Sequence, residues 1–209
     1  MKRLTLLLVT MGTALLLSAG VAVALDVNCL ASRVCVGTDG PDTLNGSTGS
    51  DHMDARQNDD KLFGNERHDF MSGDALEADE ARSFTDGNDI LKAGPGFDEL
   101  VGYGGDDEFS GGDNGDFILA EESSKNQGEA VVRGGSGNDF ILARDGVKDT
   151  ISCGKGNTDI VFFDKGGIDT TANNCEYKNK YPDFEEFSSA ASSTPERVSA
   201  EKVNNLRSR

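Results

Sequence analysis

Large apolar residues recur every nine positions along two stretches of the chain, and an aspartate stands two positions before each of them. The apolar residues are Leu44, Met53, Leu62, Met71, Leu91, Leu100, Phe109 and Ile118. The aspartates are Asp42, Asp51, Asp60, Asp69, Asp89, Asp98, Asp107 and Asp116. Glycine-rich turns precede most of these aspartates. A fixed period with the same residue types in the same slots is typical of a repeat architecture.

Each nine-residue unit predicts one turn followed by one short strand. The pattern G-G-x-G-x-D-x-U-x, with U large and apolar, occurs in full from Gly134 to Leu142. Dense glycine permits left-handed turns but destabilises regular elements, whereas the last three positions suit a strand whose side chains alternate between two faces. Two units complete one coil. We therefore predict an all-β fold, a right-handed parallel β-roll (β-solenoid) of about six coils with two loop insertions.

Interruptions of the repeat indicate how the chain is organised. Residues 73–83 and 120–133 lack the pattern and are the predicted insertions. A basic start, an apolar stretch and an A-x-A site predict a signal peptide, and the polar end of the chain predicts disorder. The predicted divisions are a signal peptide at 1–24, an N-terminal cap at 25–36, a β-roll at 37–175 and a disordered tail at 176–209.

The last repeats are less regular than the others. Three of them are stretched to ten residues, and they end on Asp149, Asp159 and Asp169. Thr158 stands in the slot where the aspartate is expected, one residue before Asp159. We therefore expect Asp159 to be displaced from the position that the other repeat aspartates share, and to take little part in what those aspartates bind.

Stacking predicts that the aspartates form columns. One coil separates Asp42 from Asp60, and the same step joins Asp51 to Asp69, Asp89 to Asp107 and Asp98 to Asp116. Adjacent carboxylates repel one another unless a cation neutralises them. The glycine turns also leave backbone carbonyls free, and an adaptable all-oxygen site suits Ca²⁺ better than Mg²⁺, Zn²⁺ or copper. We predict several bound Ca²⁺ ions; the alternative is a calcium-free glycine-rich solenoid.

From Gly37 to about Ala172, the repeats resemble the hemolysin-type (RTX) calcium-binding nonapeptides of secreted bacterial proteins. The resemblance implies a parallel β-roll with Ca²⁺ between successive turns, held by loop carbonyls and the repeat aspartate. The calcium-binding residues that it implies are Asp42, Asp51, Asp60, Asp69, Asp89, Asp98, Asp107, Asp116, Asp139, Gly37, Gly40, Gly46, Gly49, Gly102, Gly105, Gly134 and Gly137. Asn58, Arg67 and Asn114 replace turn glycines, and Arg67 is a candidate to take the cation's place beside Asp69.

Charge and targeting limit the possible partners. The net charge of −17 argues against nucleic acid and anionic membrane surfaces as partners. With the signal peptide removed, no later apolar run is long enough to span a bilayer, so we predict a secreted, extracellular protein without stable membrane insertion. Many RTX proteins use a C-terminal secretion signal instead, so this chain departs from them, and we expect export by the general route.

The four cysteines, Cys29, Cys35, Cys153 and Cys175, predict two disulfides in an exported chain, with three pairings possible. Cys153 and Cys175 lie about one long coil apart, and Cys29 and Cys35 can close a small loop before the first coil. We therefore predict the pairs Cys29–Cys35 and Cys153–Cys175, which would staple the two ends of the roll. A zinc site is the alternative, but it would need histidines or C-x-x-C pairs nearby.

Catalytic motifs are not evident, and the chain is predicted not to be an enzyme. His52 and His68 are the only histidines, and there is no nucleophile elbow.

Apolar residues flanking the inward positions should face outward; these residues are Ile90, Phe117, Leu119, Phe140 and Leu142. Either the insertions or the tail cover these residues, or the residues form a surface that binds an extracellular protein or polysaccharide. The functional prediction is a calcium-binding roll with a structural, scaffold or binding role. The alternatives are a non-catalytic relative or fragment of a secreted RTX hydrolase or lyase, and an adhesin-like solenoid.

Overall fold

The computed structural model describes residues 24–30, 34–74, 86–120 and 128–179. The predicted signal peptide up to residue 23, most of the first insertion, the middle of the second and the tail from residue 180 lie outside the described residues. The described part contains only strands, turns and irregular segments. No helix there is long and apolar enough to cross a membrane.

Each repeat contributes one short strand of two to six residues. The strands are β1 (Asp26–Asn28), β2 (Val34–Val36), β3 (Thr43–Asn45), β4 (His52–Arg56), β5 (Lys61–Phe63), β6 (Phe70–Asp74), β7 (Ile90–Pro95), β8 (Glu99–Val101), β9 (Glu108–Asp113), β10 (Phe117–Leu119), β11 (Val131–Ser136), β12 (Phe140–Ala143), β13 (Thr150–Lys155), β14 (Ile160–Phe163), β15 (Thr170–Thr171) and β16 (Tyr177–Lys178). The last two strands have only two residues each.

Successive strands alternate between two eight-stranded sheets. The odd-numbered strands form one sheet in sequence order and the even-numbered strands form the other. Neighbouring strands are parallel, as in the pairing of Leu44 with Leu62 and of Met53 with Met71. The predicted all-β parallel roll is confirmed. It has about seven turns rather than six, because the predicted cap supplies β1 and β2, which pair with β3 and β4.

The core is a narrow double row of the residues that carry the nine-residue period. Leu44, Met53, Leu62, Met71, Leu91, Leu100, Phe109 and Ile118 are all fully buried. Val132, Ile141, Ile151 and Val161 continue the rows through the later coils. Burying one such side chain contributes about 1.5–3 kcal/mol, so each coil adds a modest increment to the stability of the stack.

Both insertions leave the stack intact, as predicted. Across the first, Lys61 of β5 pairs directly with Ile90 of β7. Across the second, Glu108 of β9 pairs with Val131 of β11. The predicted extent of the second insertion was wrong at its end, because residues 131–133 belong to β11. The sequence conceals this strand, since the aspartate slot before it holds Ala130.

Two disulfides lie near the ends of the roll, with the predicted pairing. Cys29 and Cys35 have Cα atoms 5.4 Å apart, and Cys153 and Cys175 have Cα atoms 5.2 Å apart. No described cysteine is free. The first bridge joins the segment after β1 to β2, and the second joins β13 to the segment before β16, so each ties one sheet to the terminal strand of the other.

A second apolar cluster lies on the outer face of the even-numbered sheet. Phe140, Leu142, Ile160 and Tyr177 are buried, and Phe117, Leu119 and Phe162 pack against them. The rings of Phe117 and Phe140 stack with centroids 5.5 Å apart. Of the five residues predicted to face outward, Phe140 and Leu142 are buried, whereas Ile90, Phe117 and Leu119 are half-buried. Cover by the insertions or the tail stays a prediction.

Candidate metal centres in the turns

Carboxylates and backbone amides form a ladder along each edge of the roll. The N–H of Asp42 donates to Oδ1 of Asp60 at 2.6 Å, and the N–H of Asp51 donates to Oδ1 of Asp69 at 2.8 Å. The same bond recurs for the pairs Asp60–Asp89, Asp69–Asp98, Asp89–Asp107, Asp98–Asp116, Asp116–Asp139, Asp139–Asp159 and Asp149–Asp169. The predicted columns therefore exist, and each hydrogen bond fixes the orientation of one carboxylate.

The second oxygen of most of these carboxylates is buried and has no hydrogen-bond partner. This holds for Oδ2 of Asp60, Asp69, Asp89, Asp98, Asp116, Asp139, Asp149 and Asp159. Leaving one buried acceptor unsatisfied costs about 1–3 kcal/mol, and more for a charged group. An array of such oxygens is costly unless a proton or a cation removes the negative charge at each step.

The first glycine of a turn faces one of these oxygens. A Cβ atom on Gly64 would collide with Oδ2 of Asp69 and would lie 2.6 Å from the carbonyl oxygen of Ala93 in the next coil. A Cβ atom on Gly134 would likewise collide with Oδ2 of Asp139 and the carbonyl oxygen of Cys153. The missing side chain therefore leaves space between a carboxylate and a carbonyl. This oxygen-lined cradle fits Ca²⁺, which prefers six to eight oxygen ligands.

The turns keep their shape where glycine is replaced. Asn58, Arg67 and Asn114 adopt φ values of 70°, 76° and 75°, a region that asparagine tolerates and that costs arginine about 1–2 kcal/mol. The side chain of Arg67 is exposed. Burial, together with the charges of Asp98 and Asp51, raises the pKa of Asp69 to about 7. The structure gives no support to Arg67 as a substitute for the cation.

Burial governs the ionisation of the ladder. It raises the pKa of Asp60 to about 8, and the backbone N–H of Asp42 only partly offsets this effect. It raises the pKa of Asp116 to about 9, with the charges of Asp139 and Asp98 adding to the shift. A nearby divalent cation favours the charged form of a carboxylate and reverses this tendency. A proton and a bound divalent cation would therefore compete for the same oxygens.

The expectation that Asp159 leaves the column was wrong. The N–H of Asp139 donates to its Oδ1 at 2.9 Å, and Asp159 is fully buried. The extra residue of this repeat is absorbed between Gly156 and Asp159, after which Ile160 pairs with Phe140 in the ordinary register. Thr158 is thus a turn residue, and Asp159 has the same ladder geometry as the regular aspartates.

Three further ladder positions escaped the sequence pattern. Ala130 takes an aspartate slot, and its N–H donates to Oδ1 of Asp149 at 2.8 Å, so one column lacks a carboxylate there. At the C-terminal end, Glu176 replaces aspartate and its Oε2 accepts from the N–H of Asp159 at 3.0 Å. At the N-terminal end, Oδ1 of Asp42 accepts from the N–H of Leu25 and its Oδ2 from Thr38. Asp42 is therefore satisfied by the protein itself, unlike the interior aspartates.

The histidines lie outside the ladders. His52 packs on Phe70 with ring centroids 4.7 Å apart, and Nδ1 of His68 accepts from the N–H of Phe97 at 2.9 Å. Within the ranges that the structure describes, no three histidine, cysteine or acidic side chains converge as a conventional metal centre. The candidate sites instead combine one carboxylate per turn with backbone carbonyls.

The fold and its turns define a class: parallel β-rolls whose turns are lined by buried aspartates and carbonyl oxygens. The family model for the RTX calcium-binding nonapeptide repeat (four copies) matches residues 36–75, 85–118 and 126–160, just over half of the chain. The chain belongs to this family, as the repeats indicated, and membership supports calcium binding by the roll. No curated protein matches the chain. No solved structure matches it either.

Proposed function

We propose that the protein is an exported calcium-binding β-roll in which several Ca²⁺ ions sit between successive turns and hold the coils together. One observation carries the proposal: Oδ2 of one interior aspartate after another is buried without a hydrogen-bond partner. A roll that buried so many carboxylates without cations would bear a repeated electrostatic and desolvation cost.

Each proposed site uses a repeat aspartate and the carbonyl oxygens around a turn glycine. Gly111 illustrates the arrangement, because a Cβ atom there would meet both Oδ2 of Asp116 and, at 2.5 Å, the carbonyl oxygen of Gly134. When bound, Ca²⁺ supplies positive charge that lowers the pKa of the carboxylates. The residues of the chain hold the oxygens in place through the N–H ladder and exclude side chains from the cradle. Metal binding is thereby coupled to folding.

The role that we propose is structural or binding rather than catalytic. Two disulfides fit an oxidising compartment, which agrees with export directed by residues 1–24. Partners would be an extracellular protein or polysaccharide that meets the acidic surface, where exposed carboxylates such as Asp39 and Asp106 line the turns. Descent from a secreted RTX hydrolase or lyase is compatible with the same roll.

Isothermal titration of the oxidised chain from residue 25 tests calcium binding. We expect several Ca²⁺ ions per chain, with Mg²⁺ unable to compete at equal concentration because it demands strict octahedral geometry. Asp139→Asn should remove about one ion, whereas Asp39→Asn, an exposed control of identical chemistry, should leave the stoichiometry unchanged. Absence of calcium binding, or equal binding of Mg²⁺, would overturn the proposal.

A further inference from the structure

The later strands of the even-numbered sheet are apolar on both of their faces. Their sequences are Phe117-Ile118-Leu119 in β10, Phe140-Ile141-Leu142-Ala143 in β12 and Ile160-Val161-Phe162-Phe163 in β14. The neighbouring strand β9 of the other sheet alternates instead, with Glu108-Phe109-Ser110 at its start. An unbroken apolar run is typical of a parallel strand that is covered on both sides. These strands therefore call for a layer of the chain outside the roll.

The outward side chains of these strands form the outer apolar cluster, which is arranged in two columns. Parallel pairing stacks Phe117, Phe140, Ile160 and Tyr177 in one column, and Leu119, Leu142 and Phe162 in the other. Leu142 and Ile160 are each only 4% exposed. All seven residues belong to β10, β12, β14 and β16, so the cluster draws no second layer from the described residues. A contiguous apolar patch of this kind is rarely left bare on a monomeric protein.

The described part of the chain ends at the edge of this face. The last strand, β16, is the terminal strand of the even-numbered sheet, and Asn179 follows it with a left-handed φ of 54°. The N–H of Asn179 donates to the carbonyl oxygen of Val161 at 2.7 Å, and its Oδ1 accepts from the N–H of Phe163 at 2.9 Å. These two hydrogen bonds fix the point from which residue 180 continues, directly beside the outer apolar cluster.

The first residues of the tail carry all of its aromatic side chains. Tyr181, Phe184 and Phe187 recur every three residues, and residues 188–209 contain no further aromatic residue. Crossing the face from β16 to β10 takes three strand spacings, about 14 Å. Residues 180–187 can span up to about 26 Å when extended. The three rings can therefore reach every strand of the cluster.

The two insertions are less suited to cover this face. Residues 121–127 read Glu-Glu-Ser-Ser-Lys-Asn-Gln and contain no large apolar side chain. In residues 75–85 the large apolar residues are Leu76 and Phe84, each two positions from the nearest described residue. Two residues extend by about 7 Å, whereas β6 lies three strand spacings, about 14 Å, from the centre of the cluster at β12. The tail is thus the segment whose composition and starting point match the face.

We propose that residues 181–187 dock on the outer apolar cluster of their own chain and form the outer layer of the even-numbered sheet. Tyr181, Phe184 and Phe187 supply the apolar surface, because a buried aromatic side chain removes about 150–250 Å² from water. The predicted disorder of the tail then applies to residues 188–209. The inference concerns a sheet face rather than the turns, and it goes beyond the proposed function. The competing occupants of the face are a second copy of the chain and an external partner.

The test is tryptophan fluorescence of the oxidised chain from residue 25 in excess Ca²⁺. The chain has no tryptophan, so Phe184→Trp introduces a single indole as reporter. We expect its emission to be blue-shifted and protected from quenching by acrylamide, to a degree that does not change with protein concentration. Leu206→Trp, a control in the same tail, should give the emission of an exposed indole.

Substitutions on the two sheets show where the reporter docks. Leu142→Lys, combined with Phe184→Trp, should shift the emission to that of the exposed control. Thr150→Lys adds the same charge at an exposed outward position of the other sheet, so it should leave the blue shift unchanged. If circular dichroism shows that Leu142→Lys does not fold, Leu119→Lys, at a half-buried position of the cluster, decides by the same shift.

Exposed emission in Phe184→Trp alone would overturn the inference, because the face would then be left to an external partner or to another segment. A blue shift that survives the lysine on the cluster would overturn it as well. A blue shift that grows with protein concentration, together with dimers in sedimentation velocity, would assign the face to a second copy and refute docking within one chain. None of these outcomes changes the calcium stoichiometry, which the titration of the proposed function measures separately.

Discussion

The backbone N–H of Asp98 donates a hydrogen bond of 2.9 Å to Oδ1 of Asp116 one coil later, while Oδ2 of Asp116 is buried without a partner. One oxygen thus joins adjacent coils through the protein, and the other is left for a ligand from outside the chain. Because this relationship is repeated along both edges, we propose that the stability of the roll depends on bound cations.

Replacement of Asp116 by asparagine should remove about one bound Ca²⁺ and lower the stability of the calcium-loaded roll by about 2–4 kcal/mol, the linkage value of one well-occupied site. Asparagine keeps an acceptor for the N–H of Asp98, so the change isolates the charge. Calorimetric titration and thermal unfolding in Ca²⁺ measure both effects. Asp113→Asn is the control, because Asp113 is exposed in the same turn; equal effects of the two substitutions would contradict a role for the ladder charge.

Replacement of Asp159 by alanine should reduce calcium binding and stability about as much as Asp139→Ala, because both carboxylates accept a ladder hydrogen bond and keep a buried, unpartnered Oδ2. Each loss should amount to about one ion. Parallel titrations of the two variants measure it. Full calcium stoichiometry in Asp159→Ala would show that the ten-residue repeat folds into the ladder without binding metal.

Introducing aspartate at position 130 should restore the missing carboxylate of its column. Ala130 occupies the ladder slot, and its N–H already donates to Asp149. We expect Ala130→Asp to add about one Ca²⁺ ion and to raise the unfolding temperature in Ca²⁺, but to lower it in chelator because a charge is buried without compensation. Thr158→Asp adds the same charge in a turn outside the ladder, so it should add no ion; a gain there, or none in Ala130→Asp, would refute the assignment of the slot.

The metal-free roll should be stabilised by acid. Burial raises the pKa of Asp159 to about 6 and that of Asp60 to about 8, from 3.8. Because the folded pKa values lie above the unfolded ones, protonation favours the folded chain. This stability is complete below the unfolded value of 3.8 and is lost as pH rises through the folded values of about 6 and 8. In chelator, circular dichroism should show more β structure at pH 5 than at pH 8. With limiting Ca²⁺ the order should reverse, since protons displace the cation. A metal-free chain that is more structured at pH 8 than at pH 5 would contradict these pKa shifts.

The regular coils could be read from the sequence because one residue type in each slot does one physical task. Leu62 fills the core, Asp60 forms the ladder, and the turn glycines free the carbonyls. The sequence-based predictions fail where a repeat position is kept in the fold but the expected residue is changed or shifted. Strand β11 was missed because Ala130 stands at its aspartate position. The backbone N–H of Ala130 makes the ladder hydrogen bond without needing an aspartate side chain. Asp159 looked displaced because the turn before it can absorb an extra residue without shifting the strand.

Far-ultraviolet circular dichroism of the oxidised chain from residue 25, at pH 8 in excess EGTA, Mg²⁺ or Ca²⁺, tests most directly whether calcium holds the roll together. We expect a largely disordered spectrum in EGTA, little change in Mg²⁺, and a cooperative gain of β signal in Ca²⁺ that EGTA reverses. The same fully folded spectrum in EGTA and in Ca²⁺ would contradict the account, because the buried carboxylates would then be tolerated without a cation.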